Sequence, residues 1–198
     1  MTSPKISFIY AYPLDAGRRR LFTEKGLDTY PTIEKIKEVL KGWENTWNEV
    51  NSEDKVMSTL VKITKRVPTR ALECFVFGGG LNPMSTPFLM PVVAKGGKIR
   101  SDEKFIETVI HELLHIFVTE NTFLYWTMIR EKYSDEDVLT QNHIIIYAML
   151  QEVYELLFEK LPPDFSQDGL PPGYMRAIEL VKKIGHKNLI EEYHTLVK

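Results

Sequence analysis

The stretch from residue 105 to residue 118 constrains the fold more than any other part of the chain. Ile106, Ile110, Leu113, Leu114 and Phe117 recur at steps of three and four, and Phe105, Val109 and Ile116 widen the same side. That spacing is the period of a helix with one apolar face. Taking about 100° per residue, His111 and His115 fall on the other side, near Lys104, Thr108 and Thr119. The pattern predicts a helix that buries one face in a core and lines a cleft with the other. Residues four apart share a face. His111 and His115 can therefore aim two imidazoles at one metal ion, with the Glu112 carboxylate beside them.

The rest of the chain predicts what surrounds this helix. Residues 6–12 are rich in strand formers and stop at Pro13. A polar, glycine-containing stretch follows over 15–28, with Arg18, Arg19 and Arg20 as a basic cluster on a solvated loop. Apolar residues at Ile33, Ile36, Val39, Leu40, Trp43, Trp47 and Val50 mark a helix over 32–50. A second helix begins at Ser52 as its N-cap and ends before Pro68. Residues 71–77 read as a buried strand holding Cys74, and Gly78, Gly79 and Gly80 as a flexible turn. The three glycines lack the spacing of a phosphate-binding loop. Residues 88–93 read as a strand, which Pro91 places at a sheet edge. Ser101 or Asp102 can cap the histidine helix. Helices are predicted over 121–133, 135–159, 174–184 and 188–197.

The expected class is α+β: a small mixed sheet, the histidine helix, and a mainly helical C-terminal half in one domain over 1–198. Within it, 1–100 holds strands and two helices, 101–159 the metal-binding helices, and 160–198 the C-terminal helices. Bulk composition limits the partners. The chain has 198 residues, 43% of them hydrophobic and 26% charged, with a formal net charge of −2. No basic excess points to nucleic acid, and no apolar window is long enough for a membrane span. The single cysteine, Cys74, excludes an internal disulfide and a cysteine-rich zinc site. With no signal-peptide pattern at the N-terminus, the expected location is cytoplasmic.

A catalytic zinc site takes three protein ligands and a water. His111 and His115 supply two. The third is His143, Glu152 or Glu155, and more weakly His186 or His194. On the helix over 135–159, His143 lies mid-way across the apolar face, within about 80° of Ile146, Tyr147, Leu150, Val153, Tyr154 and Leu157. Glu152, Glu155, Glu159 and Gln151 gather on the solvated side. His143 is therefore the first choice. Its alternative role is a buried histidine bonded to a backbone carbonyl or a tyrosine.

His111-Glu112-Leu113-Leu114-His115 matches the H-E-x-x-H pattern, and on it the chain resembles the zincin metallopeptidases over residues 71–159. The resemblance implies an H-E-x-x-H helix beneath a small sheet, an edge strand that receives an extended peptide or protein substrate, and a third ligand on a later helix. It implies one zinc ion per chain and Glu112 as general base. Val118 and Asn121 stand where a metzincin needs glycine and histidine. Glu152 and Glu155 are followed four residues on by Leu156 and Glu159, so the gluzincin pattern is incomplete. A three-histidine set of His111, His115 and His143 is the consistent alternative. Tyr147 and Tyr154 are candidates to stabilise an oxyanion. Glu107, Glu120 and Asn121 are candidates to orient the ligand imidazoles, with an exposed acid the plainer reading of Glu107. Thr119 can instead bond the helix end. The alternative to an enzyme is a catalytically inactive zincin-like binding or regulatory protein.

Overall fold

The computed structural model describes residues 4–27, 29–69, 71–94, 97–119, 123–167 and 169–197. Glu120 and Asn121 lie outside them. The fold is α+β, with a four-stranded mixed sheet and mostly helical content. It divides into two compact units that cut across the three sequence blocks. One takes in Met1–Glu53 and Thr69–Glu112, the other Asp54–Pro68 and Leu113–Lys198.

The first unit is built on β1 (Ile6–Tyr10), β2 (Leu72–Phe77), β3 (Met84–Ser85) and β4 (Phe88–Pro91), in the order β1-β2-β4-β3. β1, β2 and β4 run parallel, and β3 pairs antiparallel with β4. In the parallel register Phe8 stands opposite Cys74, and Phe75 opposite Leu89. Alternation therefore sends Phe8 and Phe75 to opposite faces. On the first face Phe8 meets Trp47 of α2 (Ile33–Val50) and Phe105 of α4 (Asp102–Thr119), and Trp43 stacks on Phe105 at 4.4 Å. On the second face Phe75, Phe77 and Leu89 pack with Ala11 and with Leu14 of α1 (Tyr12–Glu24).

Three expectations change here. Residues 12–24 form α1 rather than a loop. Pro13 sits in its first turn, where a missing N–H costs nothing. The three arginines are thus helical, and the side chain of Arg19 is only 30% exposed. The strand at residues 88–93 is shorter and is not an edge, because the two-residue β3 covers its outer side. Pro91 is tolerated because β3 reaches only Phe88 and Leu89, and Val92 supplies the N–H that bonds Phe77. α2 is capped by Thr32, whose side chain accepts from the Lys35 N–H. Ser52, however, opens a short 3-10 turn, and Asp54 precedes α3 (Lys55–Thr64).

The second unit is helical. It holds α3, the rest of α4, α5 (Phe123–Lys132), α6 (Val138–Phe158), α7 (Pro172–Ile184) and α8 (His186–Leu196). α6 is its axis and packs against α3, α7 and α8. Ile144 through Leu150 are buried without a break, so this helix is enclosed on all sides along that length. Asp137 caps it by accepting from the Thr140 N–H at 2.9 Å. Tyr193 donates to the Thr64 carbonyl and His194 to the Ile63 carbonyl, which ties α8 to the end of α3. Among the described residues no helix is long and apolar enough to cross a membrane.

Candidate metal centre

α4 starts where Ser101 accepts from the Lys104 N–H, with Asp102 and Glu103 in the first turn. It runs unbroken through the point where the two units divide. His111, Glu112 and His115 thus keep helical spacing, and two imidazoles stand one turn apart. The helix departs from its expected two-faced character. Phe105 through Leu114 are all buried, with His111 at 6% and Glu112 at 8% exposure, so the polar side is enclosed rather than open.

His143 projects from the second turn of α6 and is 6% exposed. Its Nδ1 lies 2.7 Å from the Leu139 carbonyl oxygen, one turn back. A carbonyl only accepts, so Nδ1 carries the proton and Nε2 keeps its lone pair. That Nε2 lies 3.2 Å from the Nε2 of His115. The two roles weighed for His143 prove compatible: one ring nitrogen serves the backbone and the other faces His115. His111 stands one turn before His115 on the same helix. Zinc–nitrogen bonds of about 2.0–2.1 Å set roughly 3.3 Å between ligands of a tetrahedron. The His115–His143 separation matches that edge, so these two nitrogens fit a tetrahedral ion of this size.

Burial sets the protonation states of these side chains. It pushes the His115 imidazole down to about 3, helped by the His143 ring beside it. It pushes His143 down to about 4, against the pull of the Leu139 carbonyl. Both rings are therefore neutral at ordinary pH, the form that binds metal. Burial pushes Glu112 up to about 8, opposed by Arg100. Cys74 is fully buried and its thiol is pushed up, so it behaves as a small apolar residue and not as a nucleophile.

The surrounding residues differ from expectation in several places. Glu107 is 1% exposed and paired with Lys104 at 2.6 Å, so it is a buried, ion-paired acid and not an exposed one. Thr119 donates to the His115 carbonyl at 2.7 Å, closing the helix end as anticipated. Tyr147 donates its hydroxyl to Asp164 at 2.9 Å, and Tyr154 packs on Phe158. Tyr174 of α7 was not singled out in the sequence, yet its ring lies 4.2 Å from that of His143. Glu152 and Glu155 do not join the three histidines but meet His186. His194 bonds the Ile63 carbonyl. No known family model matches the chain, and no curated protein or solved structure is found similar to it.

Proposed function

We propose that the protein is a zinc-dependent hydrolase, a small metallopeptidase of the zincin type acting on a peptide or protein substrate. The observation that carries this reading is the meeting of His115 and His143 at 3.2 Å, with His111 one turn away on the same helix. His111, His115 and His143 would hold the ion as neutral imidazoles. When bound, a zinc ion supplies a Lewis acid that polarises a carbonyl and brings the pKa of its water toward about 7.

The chain's own residues do the rest. Leu139 fixes the tautomer of His143 through Nδ1, which keeps the lone pair on Nε2 for a metal. Glu112, next to His111, takes the proton of the attacking water on its carboxylate and returns it to the leaving amine nitrogen. The carbon–nitrogen bond breaks, a carbon–oxygen bond forms, and Glu112 ends as it began. Glu112 is buried, and that burial is what raises its pKa. A basic group with a pKa near the working pH is suited to taking and giving one proton.

The enclosure of His111 and Glu112 favours one second reading, a metal-holding protein that binds a partner without cleaving it. Metal content of the native protein and digestion of a peptide library separate the two. The enzyme reading expects about one zinc retained in Glu112→Gln and cleavage lowered about 10²–10⁴-fold. It expects His143→Ala to lose the ion held by the histidines. Full zinc with no cleavage by the parent protein selects the binding reading. A zinc-free protein from metal-replete expression removes both.

A further inference from the structure

A second set of ligand-type side chains lies within the helical unit. Glu152 and Glu155 sit three apart on α6 and so share a face. His186 is the first residue of α8 and follows Gly185, whose φ of +92° turns the chain sharply out of α7. The His186 Nε2 lies 2.9 Å from Glu152 Oε2 and 3.4 Å from Glu155 Oε2. One ligand atom from each of the three falls within 4.8 Å of the others.

The contact with Glu152 is a hydrogen bond of ordinary length, and it occupies the one hydrogen that Nε2 can carry. A protonated imidazole offers a single N–H at Nε2, and two carboxylate oxygens converge on it. Two negative charges would face one positive charge, and among the described residues neither glutamate pairs with a lysine or arginine. The other oxygen of Glu155 is already engaged, because Gln151 donates to Oε1 at 2.7 Å and leaves Oε2 turned toward His186. A divalent ion satisfies both oxygens and the nitrogen together. Bonds of about 2.0–2.2 Å to nitrogen and oxygen set ligand separations of roughly 3.3 Å, and the observed 2.9 and 3.4 Å bracket that value. The side chains are 12%, 21% and 39% exposed for His186, Glu152 and Glu155, so solvent can supply a further ligand.

We propose that Glu152, Glu155 and His186 form a second divalent-cation site, suited to zinc by its nitrogen and oxygen donors, which clips the start of α8 to α6. The far end of α8 is tied to α3 through Tyr193 and His194, and the ion would hold the opposite end. The site stands independently of the three-histidine reading.

Titration of the full chain with zinc chloride, followed by calorimetry and native mass spectrometry, tests it. The parent protein should bind about one equivalent more than Glu152→Gln/Glu155→Gln and than His186→Ala. His143→Ala should keep that equivalent. The glutamine pair sits at partly exposed positions, and circular dichroism checks its fold. Zinc should also raise the melting temperature of the parent more than that of the glutamine pair. Equal stoichiometry and equal thermal shift in parent and variants overturn the proposal. If the three histidines bind nothing, the remaining equivalent still disappears in His186→Ala, so the two readings fail separately.

Discussion

Asp15 shows how much a single side chain can carry outside the metal centre. It is fully buried and accepts from four donors: the Tyr10 and Tyr30 hydroxyls, the Arg19 guanidinium and the Gly78 N–H. Burial works to raise its pKa, but these hydrogen bonds outweigh it and hold the carboxyl below its ordinary 3.8. The folded pKa lies below the unfolded one, so the contribution to stability is present above the unfolded pKa and is lost as pH falls through the folded one. Asp15→Asn should cost about 2–4 kcal/mol near neutral pH, since it leaves buried donors facing an amide. Urea midpoints should converge for the two proteins as pH falls below the ordinary carboxylate range. A constant difference across that range would reject the carboxylate as the cause. None of this was legible beforehand, because Tyr10, Asp15, Tyr30 and Gly78 meet only after folding. His143 was legible, since a histidine mid-way across an apolar helical face must find partners for both nitrogens.

At the scale of elements, the three glycines after β2 have a specific reason at Gly78. A Cβ built there would lie 2.5 Å from the Tyr30 ring, which its hydroxyl bond to Asp15 holds in place. Gly78→Ala should therefore cost about 1–3 kcal/mol by overpacking. Gly17, inside α1, is the control, with no atom within 4 Å of a Cβ. Gly17→Ala should stabilise by about 0.4–1 kcal/mol through the unfolded chain. Chemical denaturation of both variants reads the opposite signs. Helix positions with strong apolar periodicity, α2 and α6 above all, were readable from spacing. α1 was not, because charged and small residues break its pattern and its inward side includes the buried carboxylate of Asp15 beside Leu14. β3 was not, because two residues carry no periodicity.

For the whole molecule, metal and stability are linked. An ion that binds only the folded chain adds about 2.7 kcal/mol at 100 times its dissociation constant. For a chain of this size that is roughly 5–10 °C in melting temperature. Zinc should produce such a shift in Glu152→Gln/Glu155→Gln, where only the three-histidine set remains, and chelation should reverse it. His143→Ala added to that pair should abolish the shift, and a persisting shift would place the ion elsewhere.

The sequence alone determined that two imidazoles and a carboxylate share one helix, because helical spacing is local and needs no partner. It also determined the α+β class and the long apolar helix carrying His143. Only the tertiary structure decided that His143 meets His115 while Glu152 and Glu155 turn to His186, and that the polar side of α4 is enclosed. Those outcomes depend on how helices distant in sequence rotate and pack against each other, and periodicity along one chain segment does not encode the angle at which another arrives.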